Sequence, residues 1–293
     1  MQRLRTELRD CLELLLLPGL AALLPWQLCF ALYKRIARMQ WLYREQCEVA
    51  LSQARLRGWA GDNESHWIWV RRLVTLVDHA DNYLVRTRPD AWLNKHFTVE
   101  GHWPPANEAQ LLCTFHWGAG MWSLRHAAAA GMKVHALVAP IDGAHFKGRS
   151  VLHWYAKART AIVSKTLGQG TLDVSNSLRP AVRALRHNEQ VLAVVDVPAD
   201  QVSASQPIQL LGLQARVPRA LLRLAVEQQI PVTVFLVGLR TSDGKRTLKM
   251  QQFGIHDDVD TLIRAVFGEL EKAILLDSPA WHFWSEAERF FEL

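Results

Sequence analysis

The sequence lacks every short motif that would announce a metal, a nucleotide or a covalent intermediate. Its four cysteines, Cys11, Cys29, Cys47 and Cys113, stand far apart, with no C-x-x-C pair and no histidine nearby at zinc-ligand spacing. That excludes a finger-type site and reads as free thiols in a reducing compartment. No H-x-H, H-x3-H or H-E-x-x-H pattern occurs, so no metal is expected. Gly168-Gln169-Gly170 lacks both the lysine of a phosphate-binding loop and the third glycine of a dinucleotide fingerprint, and reads as a turn. There is no G-x-S-x-G elbow, which argues against an acyl-enzyme on serine. Internal repeats and low-complexity tracts are also missing. With nearly half of 293 residues apolar, the chain can bury a substantial core.

What is present begins with charge. Lys and Arg exceed Asp and Glu by six. Arg3, Arg5, Arg9, Lys34, Arg35, Arg38, Arg44, Arg55 and Arg57 crowd the N-terminal region, which favours an anionic partner there. Between these clusters runs CLELLLLPGLAALLPWQLCFALY (11–33), about the length that crosses a hydrocarbon core of roughly 30 Å. Glu13, Pro18, Gly19, Pro25 and Gln27 interrupt it, and no small-residue cleavage site follows. Basic residues flank both ends, which suits a segment lying in an anionic leaflet better than a clean span. Residues 1–38 are therefore expected to form a membrane-associated segment. Residues 39–293 are expected to form one domain, with 39–100 as a helical lead-in.

Helical spacing over 39–57 and 66–87 gives way to alternation. The strands expected are LLCTF (111–115), VHALVAP, AIV (161–163), VLAVVD (191–196) and VTVFLVGL (232–239). Helices are expected to about residue 130, near 149–158, over 173–187 and over 218–229. This predicts an α/β fold with a mixed, mostly parallel sheet flanked by helices. In such sheets ligands gather beyond the carboxyl ends of strands. The residues to watch are His116 after LLCTF, Pro140 to Asp142, and Asp196 to Gln201. FHWGAGMW puts a histidine at a strand end ahead of two glycines and a helix start, where backbone N–H groups near Gly118 and Gly120 can hold an oxyanion. Histidine is the natural general base near neutral pH. His126, His145 and His153 take the ordinary structural reading.

In order and spacing these segments resemble the late acyltransferases of bacterial lipid A biosynthesis, within the lysophospholipid acyltransferase superfamily. The resemblance spans LLCTFHWGAG, VAPIDG, WYAKARTAIV, LRPAVRALRHNEQVLAVVDVPADQ, the apolar run through VTVFLV, and a closing helix ending WHFWSEAERFF. It implies a glycerolipid acyltransferase-like fold and transfer of an acyl group from acyl carrier protein or acyl-CoA to a lipid or lipid-like hydroxyl or amine. It also implies the cytoplasmic face of the inner membrane and no mobile cofactor. His116 matches the histidine of the family's H-x4-D/E signature, but Met121 stands where the acid belongs. Asp196, Asp200 or Asp142 could supply a carboxylate through space. By resemblance Asp200 matches the family's loop aspartate, and Arg159, with Lys157 beside it, binds an anionic substrate group. The other reading is a non-catalytic member that binds acyl carriers or lipids. A nucleic-acid partner has no basic-aromatic motif behind it.

Overall fold

The computed structural model describes residues 2–139, 141, 143–175 and 177–292; the side chains of Ala144 and His145, and the whole of Asp142, lie outside the described residues. The N-terminal run is not one rod. Helix α1 (Gln2–Asp10) passes through a π-helical turn (Cys11–Leu16) into α2 (Leu17–Leu23), and Pro25 separates these from α3 (Trp26–Ile36). After α4 (Arg44–Leu56) comes the 24-residue α5 (Glu64–Thr87), capped by the Asn63 side chain accepting from the His66 N–H at 2.9 Å. Arg88 donates to the carbonyls of Ala21 and Leu24, and Tyr33 Oη to those of Leu17 and Pro18, so the broken helix ends are satisfied within the protein. Among the described residues no helix is long and apolar enough to cross a membrane.

From there the chain alternates: α6 (Asp90–Lys95), β1 (Phe97–Glu100), β2 (Gln110–Thr114), α7 (Met121–Ala129), β3 (Val134–Val138), α8 (Ser150–Leu167), β4 (Leu172–Asp173), α9 (Arg179–Arg186) and β5 (Gln190–Val194). A hairpin of β6 (Ser205–Leu210) and β7 (Leu213–Pro218) leads to α10 (Ala220–Glu227), β8 (Val232–Leu239), β9 (Arg246–Gly254) and α11 (Val259–Asp277). The sheet order is β1-β9-β8-β2-β5-β3-β4, with β9 antiparallel to β8 and β1 parallel to β9. This is the α/β architecture with a mixed, mostly parallel sheet that the alternation predicts.

Three expectations fail: the helix expected over 173–187 begins only at Arg179, Asp173 lying in β4. AIV is not a strand: Ile162 and Val163 continue α8, packed on the core, because no breaker intervenes before Gly168, which caps the helix at φ 67°. The closing segment is also not helical to its end. Regular helix stops at Asp277, before Ser278-Pro279, and residues 278–289 form short 3-10 turns that bury Trp281 and Trp284.

Alternating side chains split the core between the sheet's two faces. Leu111, Cys113, Val191 and Ala193 pack with α9, α10, α11 and the C-terminal turns. Leu112, Leu192, Phe235 and Val237 pack with α3, α5 and α7. The N-terminal helices thus share a core with the helix that follows His116.

Candidate functional site

Strand register builds the site. Thr114 of β2 pairs with Val194 of β5, so His116 and Asp196 each lie two residues past the last paired position, side by side at the carboxyl edge of the sheet. The His116 ring Nδ1 lies 2.9 Å from Asp196 Oδ1, and the His116 backbone N–H donates to both carboxylate oxygens at 3.0 Å. Trp281 Nε1 donates to Asp196 Oδ2 at 2.8 Å. Asp196 is completely buried while the His116 side chain is 38% exposed. With Nδ1–H directed to the carboxylate, the basic lone pair resides on Nε2. Phe283 stacks on the imidazole at 3.8 Å and 15°, bracing the ring from one side.

The turn after His116 is equally fixed. Gly118 adopts φ 58°, and a Cβ there would fall 1.9 Å from the Val237 carbonyl oxygen, so only glycine fits. Its N–H donates to Ala280 O, and Ala119 N–H donates to Val237 O. These donors are committed to the fold, which corrects the expectation that Gly118 holds an oxyanion. The N–H groups left to face a ligand belong to Gly120 and the first residues of α7. Met121, 3% exposed, opens that helix inside the core that contains Trp122 and Leu124. The position that resembles the family's acid is therefore a packing position here, and the carboxylate reaches His116 from the neighbouring strand instead.

The C-terminal turns hold this arrangement. His282 N–H donates to His116 O at 2.7 Å, and His282 Nε2 lies 2.8 Å from Gly118 O. Fully buried Arg71 donates to the carbonyls of Pro279, Trp281 and His282. One arginine on α5 thereby anchors the segment that presents Trp281 to Asp196 and Phe283 to His116. The aromatic cluster AWHFW and an arginine inside the apolar stripe of α5 were the sequence signals for this, and neither marks a site without the fold.

The other expected residues lie elsewhere. Asp200 sits in a 3-10 turn with its side chain 62% exposed, bound by Arg289 at 2.8–3.1 Å; it is not brought to His116. Arg159 donates to Asp78 at 2.9 Å and to Tyr155 Oη at 3.3 Å, so its charge is already met within the protein. Burial works to raise the Asp78 carboxyl, and the Arg159 guanidinium beside it holds it below its usual value. Lys157 is exposed on α8. Among the described residues no group of histidine, cysteine and carboxylate side chains could hold a metal.

Burial pushes His282 down to about 3 and His79 down to about 4. Each is neutral in the folded state and protonates near its ordinary value once unfolded. Their contribution is full above about pH 6.5 and is lost as pH falls toward 4, by up to about 1.4 kcal/mol per pH unit for each ring. These two rings should therefore pull the melting temperature down between pH 7 and 5, against an opposite slope from Asp81, whose carboxyl burial pushes up to about 7. His282→Gln should reduce that slope. The same slope in His282→Gln as in wild type would show that this ring is not held neutral. The sequence matches no family model and no curated protein.

Proposed function

We propose that this protein is an acyltransferase in which His116 and Asp196 form the catalytic dyad. The acceptor's hydroxyl or amine gives its proton to His116 Nε2 as it attacks the thioester carbonyl, and Asp196 stabilises the imidazolium that results. The oxyanion is met by N–H groups at Gly120 and the start of α7. Collapse of the tetrahedral species expels the thiolate, which takes a proton back from the imidazolium. The observation that carries the reading is the exposed imidazole bonded through Nδ1 to a fully buried carboxylate at the carboxyl edge of the sheet. The donor is an acyl carrier protein or acyl-CoA, and the acceptor a lipid or other amphiphile.

A membrane-surface location fits the N-terminal helices. Leu14, Ala21, Trp26, Cys29 and Phe30 are buried within the protein, yet Leu4, Leu8, Leu16, Leu23 and Leu28 are 59–80% exposed. Arg3, Arg5, Arg35 and Arg38 are exposed around them. That combination suits helices lying in the plane of an anionic leaflet, at the cytoplasmic face of the inner membrane.

The deciding experiment offers a labelled acyl-carrier thioester to membrane fractions holding wild type or His116→Ala, with lipid extracts resolved by mass. A new acylated lipid is expected with wild type and its loss with the variant, by at least about 10²-fold. Carrier binding without any product from wild type would sink the catalytic reading in favour of a binding protein.

A further inference from the structure

Helix α9, RPAVRALR, carries three arginines and no acid. Ala181, Ala184 and Leu185 are buried, whereas Arg179, Arg183 and Arg186 are exposed. Their i, i+4, i+7 spacing makes one stripe about 10 Å long. Among the described residues none of the three pairs with a carboxylate. The acids closest in sequence are engaged elsewhere, Asp173 with Ser175 and Glu189 with His135. An unopposed stripe of this kind repels itself, and an acidic partner relieves the repulsion.

Its place in the fold relates it to His116. Val138 of β3 is level with Asp173 of β4, and Ala136 of β3 is level with Leu192 of β5, which lies two residues before Val194, the partner of Thr114. The ends of β2, β5, β3 and β4 therefore form one edge. Arg179 enters from that edge six residues after β4 ends, and α9 packs across β4 and β5, the latter being the neighbour of the strand that carries His116. A thioester on a flexible pantetheine arm needs its carrier docked beside the site rather than on it, since the arm must span from the carrier's surface to the catalytic nitrogen.

The occupant can be narrowed further. The core residues of α9 lie on one face of the sheet, and those of α2 and α3, which carry the exposed Leu23 and Leu28, lie on the other. A bilayer that covers the leucines leaves α9 pointing away, open to a soluble protein. We infer that Arg179, Arg183 and Arg186 of α9 form the docking surface for the acidic face of the acyl carrier protein. The partner's identity rests on the acyl-transfer reading above; the basic surface does not.

The test measures binding of fluorescently labelled acyl carrier protein to the full chain by anisotropy, at low and high salt. Arg179→Gln/Arg183→Gln/Arg186→Gln is expected to raise Kd roughly tenfold or more and to flatten the salt dependence. Its melting temperature and its turnover of a carrier-free acyl-pantetheine thioester should match wild type. Equal carrier binding by variant and wild type overturns the inference, as does failure of wild type to bind carrier at low salt. It is also overturned if the substitutions weaken binding to anionic vesicles or duplex DNA and leave carrier binding intact. Arginine-dependent carrier binding with no turnover of any thioester by wild type would uphold the docking surface and remove the acyl-transfer reading alone.

Discussion

Asp196→Asn is expected to lower turnover by about 10³–10⁴-fold while the protein still folds, a loss of roughly 4–5.5 kcal/mol of transition-state stabilisation. The reason lies in what the carboxylate does. It accepts from the His116 ring, the His116 backbone and the Trp281 indole, and it sits where no solvent reaches it. Ionised, it fixes the tautomer with Nε2 unprotonated and stabilises positive charge on the ring when the acceptor's proton arrives. An asparagine of the same shape keeps one acceptor oxygen but turns an NH2 group toward donors and supplies no charge. The ring then favours the wrong tautomer. Steady-state turnover with a labelled thioester, read beside a thermal melt, checks this. Activity within about threefold of wild type, with an intact melt, would make Asp196 a brace for the strand end and leave His116 without an electrostatic partner.

How far this site could be read in advance depended on the range of each interaction. His116 was visible because a strand, a histidine and two glycines are contiguous, and VLAVVD marked Asp196 by the same local logic. Choosing between Asp196 and Asp200 was not possible from spacing, because the choice depends on inter-strand register: residue 196 matches residue 116 across β5 and β2, whereas residue 200 has entered a turn and paired with Arg289. The sheet followed from alternation, but α8 overran AIV because β-branched residues tolerate a helix whose face they help bury. Trp281, His282 and Phe283 were hidden for a stronger reason. Their partners lie about 80 to 210 residues away in sequence, at Asp196, Gly118, His116 and Arg71, and no local pattern encodes such contacts. Met121 misled in the same way, since its apolar character signals core packing at a position where the family resemblance asks for chemistry.

Arg246→Met is expected to cost about 3–5 kcal/mol of stability. Arg246 and Asp81 are both completely buried and paired with each other, and Arg246 also donates to Gly244 O at 2.6 Å. Its guanidinium lies between two indoles, 4.1 Å from the Trp122 ring and 4.4 Å from that of Trp26. One side chain of β9 thus links α3, α5 and α7. Methionine retains the packing volume but leaves Asp81, whose carboxyl burial pushes up to about 7 even beside Arg246, to take up a proton or stay ionised in the core without a counter-charge. Asp81→Leu/Arg246→Met removes both charges and should recover much of the loss, because most of the cost lies in the uncompensated ion. Denaturant unfolding of the three proteins separates these contributions, and a single-variant loss below about 1 kcal/mol would mean that water reaches Asp81. The consequence extends to catalysis. Trp122 is the second residue of α7, directly after the N–H groups assigned to the oxyanion, so the single variant should also lose turnover well below its melting temperature as that helix start loosens.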